Sequence, residues 1–235
     1  MELSKYRVGI RLSEQKDVAR KMVREFGKLS TCNISDALDK LKLAGVVPGI
    51  LPVWSGCPAI AGPAVTIKLS KAGTAAMHLG LLQAIGIARP GDVIVIDNRG
   101  DPLMNSWGGL VANIAKDRKV AGTIVDGATR DVDTLKELRY PVFARGIVPM
   151  TARGRVALEA INVPIQCGTA RVEPRDIVVA DGNGVAVVAR ERAQEVLHTA
   201  KIFEHIENDI LEAVRKGMSP LEAHQRYRYE TMVSK

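Results

Sequence analysis

Apolar residues recur at two spacings along this chain, and the change from one to the other predicts an ordered series of helices and strands. Val18, Met22 and Phe26 return every fourth residue, which predicts an amphipathic helix over 14–27. Ile34, Leu38 and Leu41 predict a second, shorter helix. Pro48, Gly49, Pro52, Gly56, Pro58, Gly62 and Pro63 then punctuate a loop-rich stretch. Beyond it, 64–69 reads as a strand, 74–87 as a helix, Pro90-Gly91 as a turn and 93–96 as a strand. Residues 110–115 predict a helix that leads to a strand at 123–125, and Val132, Leu135 and Leu138 mark another helix. Strands alternating with helices of this length argue for βαβ units and an α/β fold.

The second half changes character. Ile177-Val178-Val179-Ala180 and Val185-Ala186-Val187-Val188 flank Asp181-Gly182-Asn183-Gly184, and Asn and Gly supply the positive φ of a tight hairpin turn. One long helix is predicted over 191–216, with Phe203, Ile206, Ile210 and Val214 as an apolar stripe. Gly217 ends it, and Ser219-Pro220-Leu221-Glu222 opens another, with Ser as cap and Pro at the first position. The chain divides into an α/β domain with N-terminal helices over 1–190 and a C-terminal helical extension over 191–235. The stripe on that extension needs a surface to bury it, and a neighbouring subunit is a natural one.

Composition narrows the classes without choosing among them. The chain has 235 residues, 46% of them hydrophobic and 25% charged, which is ordinary for a soluble globular protein. No stretch approaches the roughly 18 apolar residues of a membrane span, so a cytoplasmic protein with no membrane partner is expected. Cys32, Cys57 and Cys167 are odd in number and widely spaced, so buried free thiols are expected rather than a disulfide framework or a zinc cluster. The formal charge of +7 permits anionic partners, but aromatics make up only 4% and none interleaves with a basic block. Small carboxylates therefore explain the charge better than nucleic acid does.

Candidate chemistry concentrates in Gly122-Thr123-Ile124-Val125-Asp126-Gly127-Ala128-Thr129-Arg130-Asp131. A buried apolar run ends here, and in α/β folds ligands collect at the carboxyl ends of strands beside helix N-termini. Arg130 offers a planar fork of donors for a carboxylate or a developing oxyanion. Asp131 offers hard oxygen that suits Mg²⁺ or Mn²⁺. A structural alternative stays open, because Asp131 is also a favourable N-cap for the helix that follows. On the preceding connection, Gly108-Gly109-Leu110-Val111 stands at the start of a helix, where free N–H groups attract anions. His198, His205 and His224 have no ligand-like neighbours in sequence and read as structural, and His78, which Met77 rather than a small hydroxyl residue precedes, reads as a packed or surface histidine rather than a phosphocarrier.

Several of these segments, taken in order, resemble the RraA-like family. They are Pro90-Gly91-Asp92-Val93, Trp107-Gly108-x-Leu110, Val120-Ala121-Gly122, Asp126-Gly127-Ala128-x-Arg130-Asp131-Val132-Asp133, Pro141-Val142-Phe143-Ala144-Arg145-Gly146 and Asn162-Val163-Pro164. Ile34-Ser35-Asp36-Ala37-Leu38, Gly62-Pro63-Ala64 and the 181–184 hairpin belong to the same pattern, which runs from about residue 30 to 190. The family includes metal-dependent 4-hydroxy-4-methyl-2-oxoglutarate and 4-carboxy-4-hydroxy-2-oxoadipate aldolases. It also includes the regulator of ribonuclease activity A, a non-catalytic binder of ribonuclease E.

The resemblance implies a swivelling β/β/α-type domain, assembled as a homotrimer or homohexamer with active sites at subunit interfaces. It implies that Asp131 holds the divalent metal largely through waters and that Arg130 contacts the substrate and polarises its keto oxygen. The N–H groups of Gly108, Gly109, Leu110 and Val111 would take the carboxylate of a small 2-oxo acid. A glutamate from the adjacent subunit's C-terminal helix organises the metal waters in the aldolases, and Glu204 or Glu207 is its counterpart here. One position departs from the pattern. The aldolases carry an acidic residue between the Gly and Leu of Trp-Gly-x-Leu, and here Gly109 stands in its place. The expected function is a divalent-metal-dependent lyase on small 2-oxo diacids, by retro-aldol cleavage or oxaloacetate-type decarboxylation through a pyruvate enolate. Gly109 shifts weight toward decarboxylation, which needs no base, and keeps the non-catalytic regulator as the alternative.

Overall fold

The computed structural model describes residues 20–71 and 77–232. Helices α1 (Arg20–Phe26) and α2 (Thr31–Lys40) lead to the short strands β1 (Val46–Val47) and β2 (Leu51–Pro52) and then to β3 (Ile60–Lys71). Three αβ units follow: α3 (Met77–Ile87) with β4 (Val93–Trp107), α4 (Gly109–Asp117) with β5 (Gly122–Thr129), and α5 (Val132–Glu137) with β6 (Val142–Ile147). Strands β7 (Val156–Ile161), β8 (Ile165–Cys167), β9 (Ala170–Val172), β10 (Ile177–Asp181) and β11 (Gly184–Val188) come next. The chain closes with α6 (Ala193–Arg215) and α7 (Pro220–Tyr227). The beginning of the first expected helix and residues 74–76 of the third lie outside the described residues.

Strands β3, β4, β5 and β6 are parallel neighbours, and the sheet runs in the order β1-β11-β10-β3-β4-β5-β6-β2 with β7 paired to β3. Alternation along the parallel strands feeds two cores at once. Ile94, Ile96 and Val125 face α3, α4 and α5, packing with Leu81, Ala112 and Leu135. Val93, Val95 and Ile124 face the other way, onto Ile165, Cys167, Val178 and Val187. A strand covered on both faces reads as an unbroken apolar run, which is why 93–96 and 123–125 show no alternation in sequence. The far faces of β10 and β11 carry α1, α2 and α6, through Ile177, Val179 and Val188 against Phe26, Ile34, Leu38 and Phe203. The result is a β/β/α arrangement with a C-terminal helical region.

Several expectations change. The strand expected at 93–96 continues to Trp107, with irregular pairing after Asp97, so that Asp101, Asn105 and Trp107 lie opposite Gly127, Ala128 and Thr129. The stretch expected to be loop down to Pro63 is already strand from Ile60, which pairs with Ala180 of β10. The stripe of α6 is covered only in part within the protomer: Phe203 and Ile210 are buried, and Ile206 and Val214 are half-buried. The protomer thus covers the stripe in part, at Phe203 and Ile210. All three cysteines are free as expected, but Cys32 is exposed and Cys57 half-buried, leaving Cys167 as the buried thiol. Among the described residues no helix is long and apolar enough to cross a membrane.

Candidate active site

The extended β4 brings the two candidate segments together. Trp107 lies beside Thr129, and its carbonyl accepts both the Arg130 amide and the Thr129 hydroxyl, each at 3.1 Å. Arg130 and Asp131 thus leave β5 directly next to Gly108, where α4 begins. Asp131 occupies the cap position of α5 with φ 58° and ψ 40°, a left-handed conformation that aspartate tolerates better than most residues. Its side chain makes no capping bond to α5. The carboxylate turns instead to the neighbouring helix, where Oδ2 accepts the Gly109 amide at 2.9 Å and lies 3.5 Å from Arg130 Nε. Among the described residues Oδ1 makes no hydrogen bond. The structural alternative is thus half right: Asp131 caps a helix, but α4 across the cleft rather than its own.

This contact explains both glycines. A Cβ on Gly108 would lie 2.7 Å from Asp131 Oδ2 and 3.2 Å from Arg130 Cγ. Its φ of −168° suits any residue, so the requirement is steric. A Cβ on Gly109 would lie 3.0 Å from Thr134 Cγ2 and 3.3 Å from Asp131 Cβ. The four-amide cradle expected over 108–111 is also narrowed, because the Gly109 N–H is committed to Asp131. The helix ladder starts with the Ala112 amide on the Gly108 carbonyl, so the amides of Leu110 and Val111 precede it and can receive an anion.

Arg130, Asp131, Gly108, Leu110 and Val111 line a cleft of about 130 Å³. Its other walls are Met77, His78, Leu81 and Leu82 of α3 and the loop carrying Thr151, Ala152 and Arg153. Sequence reasoning missed these walls. His78, expected as a packed or surface histidine, is indeed exposed, and it sits at the rim of the cleft beside the apolar residues Leu81 and Leu82. Arg153 lies in a loop with no periodicity to mark it. Ser106 and Trp107 also border the cleft, and Ser106 Oγ and Trp107 Nε1 are buried without a hydrogen-bond partner among the described residues.

Two residues of the recognised segments lie elsewhere. Asp126 and Arg145 face the β8 side of the sheet as a buried ion pair, and Asp126 also accepts the Gly168 amide at 2.8 Å. Arg145 Nη1 donates to the Pro48 carbonyl at 3.1 Å. Asp97 stands in register with Asp126 and accepts the amides of Arg99 and Gln166, and burial pushes its carboxyl above the usual range. These groups fasten the connections around the sheet.

Glu204 and Glu207 lie on α6, which packs against α1, α2 and α7, none of which lines the cleft of the same protomer. Glu207 accepts Asn33 Nδ2 at 2.8 Å and the Tyr229 hydroxyl at 2.7 Å, and that second bond holds the tyrosine pKa up at about 12. Glu204 makes no hydrogen bond or ion pair among the described residues, which leaves it the less committed of the two.

A mixed sheet with a parallel centre backed by helices, and with a carboxylate, a guanidinium and free helix amides at adjoining strand ends, defines an α/β protein of the swivelling β/β/α type. Residues 31–187 match the RraA-like family model described as Aldolase/RraA. The chain belongs to that family. Over 179 residues it is 37% identical to a protein of Halalkalibacterium halodurans named "Putative 4-hydroxy-4-methyl-2-oxoglutarate aldolase", covering 76% of this chain and 81% of the relative. An uncharacterised Pseudomonas syringae protein of known structure superposes with a TM-score of 0.80 at 32% identity, covering 88% of this chain and 98% of that one. RraAS2 of Streptomyces coelicolor, described as an unusual member of the RNase ES inhibitor RraA family, gives a TM-score of 0.74 at 27% identity, with coverage of 82% and 96%.

Proposed function

We propose that this protein is a Mg²⁺- or Mn²⁺-dependent carbon–carbon lyase acting on small 2-oxo diacids. The observation that carries this reading is the meeting of Arg130, Asp131 and the α4 amides in one cleft. The amides of Leu110 and Val111 would receive the substrate's C1 carboxylate, and Arg130 would donate toward the 2-oxo oxygen. Negative charge develops on that oxygen when a C–C bond breaks and its electron pair moves into the pyruvate enolate, and fixed donors aimed there lower the barrier.

Among the described residues no group of three or more His, Cys, Asp or Glu side chains could together hold a metal. Asp131 fits a cation held by one carboxylate and water, a mode common for Mg²⁺, because Oδ1 is uncommitted while Oδ2 is fixed by Gly109. A divalent cation there would supply Lewis-acid stabilisation of the developing oxyanion.

Retro-aldol cleavage also requires a base to take the proton of the C4 hydroxyl, whereas decarboxylation of oxaloacetate loses CO₂ and needs none. Gly109 brings no acid or base to the place where the resembled aldolases carry one. Oxaloacetate is therefore expected to be the better substrate. The likeness to RraAS2 and the same glycine favour a second reading, a non-catalytic protein-binding regulator. A pyruvate-release assay across a panel of 2-oxo diacids, with Mg²⁺, with Mn²⁺ and with chelator, separates the two. Metal-dependent release supports the lyase, and no release from any member supports the regulator.

A further inference from the structure

We propose that Arg153 binds the distal carboxylate of the substrate and so sets the preference of this cleft for diacids over monoacids. The inference rests on the binding mode proposed above and adds the chemistry of the substrate's other end.

The walls between the two ends are apolar: Met77, Leu81 and Leu82 from α3, and Val111 and Ile114 from α4. A 2-oxo diacid anchored at Arg130 and the α4 amides must carry its second carboxylate along these walls. An ionised carboxylate that loses water against apolar surface is strongly disfavoured unless a charged donor replaces the water. Besides Arg130, two lining side chains can carry positive charge, Arg153 and His78. Arginine is charged at every working pH and its fork matches a carboxylate, whereas an ordinary histidine is largely neutral at pH 7 and above.

The loop around Arg153 is tied in a way that separates its two arginines. The Arg153 amide donates to Thr151 Oγ1 at 3.2 Å, and Arg155 Nη1 donates to the Thr151 carbonyl at 2.9 Å. Arg155 is thus spent on holding the loop. Arg153 lines the cleft, and its side chain is exposed and makes no ion pair among the described residues. Buried Ala152 anchors the loop beneath it.

The test uses two ligands that share a head group and cannot undergo the reaction, 2-oxoglutarate and 2-oxobutanoate. They are titrated calorimetrically into the full chain with Mg²⁺ present. The wild type is expected to bind 2-oxoglutarate about ten- to a hundredfold more tightly, the range of one charge-assisted hydrogen-bonded pair. Arg153→Ala should remove that preference with 2-oxobutanoate affinity unchanged, and Arg153→Lys should restore part of it. Equal weakening of both ligands, or an unchanged preference, overturns the proposal. A preference that His78→Ala removes while Arg153 is intact also overturns it, because the partner would then be His78. If 2-oxoglutarate is preferred but the panel yields no pyruvate, the lyase reading fails and the assignment of Arg153 stands. If the wild type binds neither ligand, both fall.

Discussion

Asp131 is the residue on which the site turns, and its geometry makes its role separable from stability. Its carboxylate accepts one amide of α4, and its left-handed backbone is held by the strand-to-helix turn. Asp131→Asn keeps an acceptor for Gly109 and removes the charge. That variant is expected to stay within about 1 kcal/mol of wild-type stability, the worth of a single neutral hydrogen bond, while metal-dependent turnover is lost. Chemical denaturation beside the pyruvate assay checks both halves, and full activity would remove Asp131 from the metal site. Gly109 offers the opposite experiment. An aspartate there needs room that Thr134 Cγ2 occupies, so Gly109→Asp alone should express poorly or lose stability. With Thr134→Ser in the same chain the clash is relieved, and the kcat for retro-aldol cleavage should rise by about 10²-fold or more, the usual worth of a positioned base. An unchanged kcat in the folded double variant would show that the missing carboxylate is not what limits the aldol reaction.

The pair Arg130-Asp131 was legible in sequence because strand ends beside helix starts are where ligands bind. Asp126, four residues earlier, was not separable from it by motif. Strand alternation sends the Asp126 side chain to the far face, and only the pairing partners reveal which face that is.

At the level of elements, the 181–184 hairpin, α6 and the Ser219-Pro220 start of α7 were legible from turn residues, helical spacing and capping, all of which act within a few residues, although the positive φ of the hairpin falls on Gly184 and not on Asn183. The outward excursion of β4 did not, since its Asn98-Arg99-Gly100-Asp101 segment carries turn residues inside what proves to be one pairing partner of β5. Strands β8 and β9, three residues each, are too short for any period to show. Helix α6 owes its place to Phe203, buried among Phe26, Ile34 and Leu38. Phe203→Ala is expected to cost about 3–5 kcal/mol in urea unfolding, with KM unchanged because the helix lies off the cleft of its own protomer.

The start of the same helical region carries a titrating group. Asp176 accepts the amides of Glu173 and Arg190, and burial raises its pKa from 3.8 to about 6. A raised folded-state pKa means that the folded chain holds the proton more tightly than the unfolded one. The stabilisation this gives is complete below pH 3.8 and is lost as the pH rises through about 6. Stability relative to Asp176→Asn should therefore fall across that window. A difference between the two chains that stays flat from pH 4 to 7 would contradict the assignment.

At the scale of the whole molecule, the resemblance leads to a trimer or hexamer. The α6 stripe is buried in part within the protomer, and Ile202 and Leu211 of the same helix stay exposed, as do Leu103, Leu110 and Ile147 around the strand ends, so both surfaces offer apolar contact to a neighbour. Light scattering at micromolar concentration is expected to give three or six chains. A monomer would leave the cleft to work without Glu204 or Glu207 from a neighbour.

The most direct test of a metal-dependent lyase centred on Arg130 and Asp131 is oxaloacetate decarboxylation, followed as pyruvate release by chelator-stripped protein titrated with Mg²⁺ or Mn²⁺. The expected result is saturable activation of the wild type, faster on oxaloacetate than on 4-hydroxy-4-methyl-2-oxoglutarate, and no activation of Asp131→Asn above free metal. Equal activation of the two chains, or a wild type no faster than the metal alone, would contradict it.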